Sequence, residues 1–417
     1  MTTTYPDSTA LRHSTARRDF GFLWAGQSVS MVGDQFMALA LPLLAVTVLG
    51  ASASLAALLP FALYAPFWVL GLPAGAIVDR VPRRTAMLLC DGVQALAFLL
   101  IATLAATHAL SFPLLLVLVV VAGCATVFFQ VAYTSVLPEI FTDQQALHRG
   151  NTRLSLSESV SRSVGPILAG PVIALTGAVA AIALDAGSFV LSALTLSAIR
   201  RRSAAPAGPP RERGWLRRDI AEGLRFVLRH GQLQPVILCG TVYVLFLSMI
   251  EASLVLYCRN VLGLDTFTIG LVVGAAALGF PLGNLVSARL MRRFGPQRAL
   301  MLGALVSVAG IVAMPVAGSA GSVVGLVVGS VVHGVGEGAF GPTSLTLRQT
   351  VTPAALMGRV GSVQRLLVMG AIPAGSLLAA AVIQLVGLPG VLWVGGLGTV
   401  LCLPVLVRRD IRAALRA

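Results

Sequence analysis

With 417 residues, 57% of them hydrophobic and only 11% charged, the chain has a mean hydropathy of +0.89. It lacks the polar surface of a water-soluble globule, in which about a quarter of residues are charged. The net charge is +14 and all 30 basic residues are arginine, set in short stretches between apolar runs and not along one soluble face, which excludes the basic surface of a nucleic-acid-binding protein.

Twelve apolar runs follow one another, near 20–49, 54–78, 86–107, 112–136, 154–176, 178–199, 234–257, 267–288, 299–318, 321–346, 361–386 and 388–407. Each has about the length that a helix needs to cross a bilayer. The first, Phe20 to Val48, is too long for the core of a cleaved signal peptide and is followed by further spans. The expectation is an all-α membrane protein of twelve transmembrane helices in two six-helix bundles. An N-terminal bundle would cover 1–200 and a C-terminal bundle 234–417, joined by a cytoplasmic linker over 201–233.

Loop arginines orient the spans. With both ends placed in the cytoplasm, 27 of the 30 arginines fall on the inner side, Arg162 and Arg365 fall within spans, and Arg259 alone lies outside. An odd number of spans would scramble that division. The linker starts as the flexible run Ser203 to Pro210 and continues as Trp215 to Arg229. There Trp215, Ile220, Leu224, Val227 and Leu228 share one helical face with arginines beside it. Such a helix is expected to lie on the cytoplasmic leaflet.

The two halves echo each other. Gly71-Leu-Pro73-Ala-Gly75-Ala-Ile-Val78 ends the second run, and Gly279-Phe-Pro281-Leu-Gly283-Asn-Leu-Val286 ends the eighth. Both have the spacing G-x-P-x-G-x-x-V and both lead into an arginine-rich turn.

The turn after the second run reads Gly75-Ala-Ile-Val-Asp79-Arg80-Val-Pro-Arg83-Arg84. It resembles the signature G-x-x-x-D-R-x-G-R-R of the major facilitator superfamily, with Pro82 where glycine is usual. That departure is similar to the drug- and siderophore-exporter branch, which includes the enterobactin and macrolide exporters. Trp24-Ala-Gly-Gln27 and Gly33-Asp34 in the first run resemble the same branch, as do Asp219 to Phe226, Gln349 to Pro353 and Gly358 to Val360. Gly165, Pro166 and Gly170 in the fifth run are similar to the family's antiporter motif G-x-x-x-G-P-x-x-G-G, with Ser161 and Ala169 in place of two of its glycines. The resemblance implies a secondary transporter that works by alternating access, a monomer without a cofactor and driven by a proton gradient. Its cavity would be lined by the first, fourth, seventh and tenth spans. Gly75, Asp79, Arg80, Arg83 and Arg84 would then form a conformational latch on the cytoplasmic side, with Asp79 held at a helix N-terminus or by an arginine.

Charges inside spans are costly unless paired or hydrated, and so mark function. Asp34 lies about 14 residues, or roughly 21 Å, along the first helix from Phe20, with no opposite charge near it in sequence. A carboxyl that gains and loses a proton as a cavity changes sides is what proton coupling requires. Asp34 is therefore the first candidate, with substrate contact and a structural role as alternatives. Glu251 and Glu337, the latter with His333 one turn before it, are further coupling or cationic-substrate candidates. Arg162 has Glu158 four residues before it and the two can neutralise each other. Asp185 and Arg365 could pair or line the cavity, and Asp91 is expected to pair with the Arg83/Arg84 turn.

Five cysteines stand singly in apolar runs without metal-ligand spacing and read as small buried side chains. The glycines from Gly334 to Gly338 lie inside a span and read as packing residues. No lysine is present, so the chain carries no phosphate-binding loop and does not drive transport with ATP by itself. The reading is therefore a transporter and not an enzyme, most simply a proton-coupled exporter of drug-like or secondary-metabolite small molecules. An importer, a lipid flippase on the same fold or a membrane sensor is the alternative.

Overall fold

A computed structural model describes residues 8–71, 73–78, 80–141, 143–199, 215–353 and 356–407. Fourteen helices account for almost all of them, and no strand occurs among the described residues. They are α1 (Ser8–Thr47), α2 (Ala53–Ala56), α3 (Leu59–Tyr64), α4 (Pro66–Leu70), α5 (Pro73–Val78), α6 (Arg83–Ala106), α7 (Phe112–Ile140) and α8 (Gln144–Ser197). After the linker come α9 (Trp215–Arg229), α10 (Leu233–Asn260), α11 (Thr266–Ser319), α12 (Val323–Val351), α13 (Met357–Val400) and α14 (Cys402–Leu406).

Nine segments among the described residues are long and apolar enough to cross a bilayer. Three of them are double. Helices α8, α11 and α13 turn back at Gly177 (φ 84°, ψ 163°), Gly295 (φ 78°, ψ 164°) and Gly387 (φ 72°, ψ −179°). Nine segments and three internal turns give twelve crossings, the number read from the apolar runs. The second crossing is assembled from the short pieces α2 to α5, because Pro60, Pro66 and Pro73 each enter at the first or second position of a new piece, where a missing N–H costs nothing.

The glycine turns lie in a backbone region that only glycine occupies without strain. Gly295→Ala is expected to cost about 1–3 kcal/mol, read as a lower thermal unfolding temperature in detergent. Gly187→Ala, at an exposed helical position with open space around it, serves as the control that leaves it unchanged.

Packing differs between the two ends of the molecule. Away from the arginine-rich turns, residues of both halves form one core. It includes Leu39, Leu44, Ile101, Leu115, Ile182, Ile250, Leu256, Ile269, Ile311 and Leu392. At the arginine-rich end the cores are separate. Phe20, Leu23, Met87, Leu137 and Leu196 belong to the first half, and Val236, Leu300, Leu347 and Leu406 to the second. The halves are thus sealed at one end and independent at the other.

Two seams make the seal. Along one, α8 meets α11, and along the other α2, α3 and α4 meet α13. On the first, a Cβ added to Gly270 would lie 2.8 Å from the Pro166 carbonyl oxygen and 2.9 Å from Gly170 Cα, so only glycine permits this approach. On the second, the Trp68 indole donates to the Gly370 carbonyl at 2.9 Å.

Part of the linker helix's apolar face packs on protein. Within the described part of α9, Val227 is buried with Leu233, Ile237, Val360 and Val363, and Leu224 packs against them. Gly223 allows the approach, since a Cβ there would meet the Arg359 carbonyl oxygen at 2.9 Å. The Leu224 and Val227 side of α9 therefore docks on the C-terminal half, whereas Leu228 remains 47% exposed. The side chains of Trp215 and Ile220 lie outside the described residues. Gly223→Leu is expected to undock α9 and expose the linker to limited proteolysis. Arg359→Ala, which removes the half-exposed ion pair to Glu222, should change stability by less than about 1 kcal/mol.

Candidate functional site

Where the halves face each other, four of the sequence candidates come together. Asp34 projects from α1, Arg162 from α8 and Glu251 from α10, and all three are exposed to solvent. Glu337 of α12 is 41% exposed at its side chain. Arg162 lies within electrostatic reach of Glu158, Glu251, Glu337 and Tyr64, and Tyr64 in turn of Asp34, Arg162 and Glu251. Ionisable groups from five helices thus act on one another across a solvent-accessible cleft. Only Arg162 is cationic in this set, and its guanidinium is 3.4 Å from Glu158.

Each half supports its own wall. In the second, Glu337 approaches His333 Nε2 at 3.7 Å. The ring Nδ1 of His333 lies 2.8 Å from the Tyr243 hydroxyl and 2.9 Å from that of Ser307, with 2.6 Å between the two hydroxyls. His333 is 4% exposed, so this network fixes the imidazole behind Glu337. In the first half, Ser28 donates to the Ser157 hydroxyl at 2.9 Å, and the Trp24 indole donates to the same oxygen at 2.9 Å. Tyr64, Tyr243, Ser307 and Ser157 were not among the sequence candidates, because a lone hydroxyl in an apolar run gives no periodic signal.

Asp185 takes a different place. It is 1% exposed and lies behind Asp34, accepting from Ser188 at 3.1 Å. Arg365 is exposed and close to Arg348, so the pairing of Asp185 with Arg365 does not form. Nor does Asp91 join the arginine turn. It is 1% exposed, beside Ser192, while Arg83 pairs with Glu139 at the end of α7. Arg84 donates to the carbonyls of Leu196, at 2.8 Å, and Ser197, where the last turn of α8 has unpaired oxygens.

Of the remaining latch residues, Arg80 is exposed and Gly75 has open space at its Cβ position. Asp79, the centre of the expected latch, lies outside the described residues. The antiporter-like residues lie along α8 toward its seam with α11. Gly165 lets the Gln35 side chain of α1 pack on α8, while Pro166 and Gly170 meet Gly270. Among the described residues no cluster of three metal-ligating side chains occurs.

Residues 23–374 match the model of the Major Facilitator Superfamily. The chain belongs to the major facilitator superfamily. It is 28% identical over 340 residues to the multidrug efflux pump Tap of Mycolicibacterium fortuitum, covering 78% of this chain and 79% of that protein. It is also 24% identical over 384 residues to macrolide efflux protein A of Streptococcus pyogenes, covering 90% of this chain and 92% of the relative. Among solved structures, a bacterial homologue of the iron transporter ferroportin in its inward-facing state superposes with a TM-score of 0.74 at 19% identity, over 94% of this chain and 98% of that one. The same homologue in its outward-facing state gives 0.64 at 19% identity, over 95% and 99%. The fold is that of a multi-pass membrane transporter of small molecules, and the family resemblance read from the Asp79 turn and the fifth run is borne out.

Proposed function

We propose that this transporter exports amphipathic drug-like or secondary-metabolite molecules across the inner cell membrane in exchange for protons. It would act as a monomer with both termini cytoplasmic and need no cofactor beyond the proton gradient. The observation that carries this reading is Asp34, a solvent-accessible carboxyl facing Tyr64 and the Arg162–Glu251–Glu337 group where the two halves meet. The two relatives named for drug efflux support the export direction. Alternating access follows from packing: one shared core seals one end, and breaking it while joining the two separate cores would open that end and close the other. With the arginine-rich end in the cytoplasm, this conformation opens inward.

Everted membrane vesicles test the reading. Loading them with a panel of macrolides, tetracyclines and dye cations, with and without a proton gradient, should show accumulation that collapses with a protonophore. Accumulation indifferent to the gradient removes the coupling, and no flux of any compound removes drug export itself.

A further inference from the structure

The N-terminal bundle holds two carboxyls that the cleft does not use. Asp185, Ser188, Ser192 and Thr195 occupy one face of the second half of α8, at intervals of three and four residues. That polar stripe lies on α1, where glycine admits it. A Cβ at Gly33 would meet Ser188 Cβ at 3.1 Å, and one at Gly26 would meet Ser192 Cα and Thr195 Cβ at 3.2 Å. From α6, Asp91 reaches the same stripe beside Ser192. Asp185, Ser192 and Asp91 are 1%, 0% and 1% exposed.

Among the described residues these acids have no counter-ion. Asp185 Oδ2 and both oxygens of Asp91 complete no hydrogen bond, and the charged group acting on each is Asp34. The elements packed around them contribute Asp34 and the amide of Gln27 from α1, the Cys90 thiol and the amide of Gln94 from α6, and the Thr126 hydroxyl from α7. A carboxyl buried inside a span without a cation is costly and so marks function. Gln27 donates to the Ser192 oxygen at 3.0 Å, which leaves the Ser192 proton free to turn toward Asp91. Depth is graded as well. Counting about 1.5 Å per residue, Asp34 lies ~24 Å from Arg18, Asp185 ~18 Å from the end of α8, and Asp91 ~12 Å from the start of α6.

We propose that Asp34, Asp185 and Asp91, linked by Ser188 and Ser192, form a proton relay inside the N-terminal bundle that reaches the arginine-rich end apart from the substrate cleft. This rests on the proton-coupled reading above. One proton enters at Asp34 and one leaves from Asp91 to water. Each carboxyl returns to its starting form, so no other reactant is needed. Substrate leaves by the cleft and the proton by the bundle, so a bulky substrate does not block discharge.

Purified protein in liposomes, with a substrate from the vesicle panel, gives the test. Asp185→Asn and Asp91→Asn, on different helices, should each lower pH-gradient-driven flux about 10²-fold or more, the low end of what a positioned proton-transfer group contributes. Substrate-for-substrate counterflow, which needs no proton discharge, should persist, and Asp185→Glu should restore driven flux. A merely structural role would depress counterflow together with driven flux and refutes the relay. So does full driven flux in both variants, or flux driven by a sodium gradient in place of the pH gradient. If wild-type protein itself ignores the pH gradient, the coupled-export reading has failed, not the relay alone.

Discussion

Asp34→Asn is expected to abolish gradient-driven export while leaving substrate binding largely intact. Asparagine has the shape of the protonated acid and cannot release a proton, so the variant is held in the proton-loaded form. A positioned proton-transfer group contributes about 10²–10⁴-fold where transfer limits the rate, and a loss of about that size in driven flux is the expected result. Removing a charge at the solvent-accessible surface of α1 leaves no orphaned ion pair, because no ion pair to Asp34 is present in the described structure. Equilibrium binding of an uncharged macrocycle should therefore stay within about three-fold, under 1 kcal/mol. If Asp34→Asn transports at the full rate with the gradient collapsed, Asp34 is not the coupling group.

The choice of Asp34 over the other acids rests on its surroundings. Glu251 and Glu337 both lie in the field of Arg162, and Glu158 is its ion-pair partner. Asp34 instead neighbours two further acids, Asp185 and Asp91. The arrangement separates two tasks: Arg162 gathers acids from both halves along one wall, while Asp34 connects cleft and bundle.

The sequence made the crossings legible because apolar length is decisive in a bilayer. Gly177, Gly295 and Gly387 could not be recognised as turns among 43 glycines, although the run boundaries fell near them. The segmentation into α2 to α5 was hidden as well, since proline is common in membrane spans. Which side of each helix faces the cleft was harder. In a soluble helix the polar face marks water, but a span is apolar toward both lipid and core, so charged residues were the only markers. They served where the charge reached the cleft, as with Asp34, Arg162, Glu251 and Glu337. Asp185 carried the same signal and proved buried, because Gly33 opens a place for it against α1.

The α9 docking shows another limit. Its apolar stripe is the same whether it meets lipid or protein, and only Gly223 beside the Arg359 backbone tells them apart. The two G-x-P-x-G-x-x-V segments also differ in use. Gly279 and Gly283 sit within contact of the α12 backbone, whereas a Cβ at Gly75 would meet nothing within 4 Å. Identical spacing therefore marks common descent of the halves more than identical contacts, and the looser copy lies at the end where the halves are apart.

The second large effect is expected at the sealed end. Gly270→Leu places a side chain where the Pro166 carbonyl and Gly170 Cα already stand 2.8 and 2.9 Å from the Cβ position. Both are backbone atoms, so neither can swing aside as a flexible side chain would. Overpacking of this kind costs about 1–3 kcal/mol, and here the strain is relieved by parting α8 from α11, the motion that opens this end. The equilibrium between the two access states should therefore shift about 5- to 150-fold toward the state open at the glycine seam. A single cysteine at Ile173, buried in the shared core, reports the change: its labelling by a membrane-impermeant maleimide added at the sealed end should accelerate by a comparable factor. Gly274→Ala, which meets the movable Ile167 Cγ1 at 2.7 Å, should shift it less. Unchanged labelling in Gly270→Leu would mean that the seam does not part when this end opens, and would move the hinge of the cycle elsewhere.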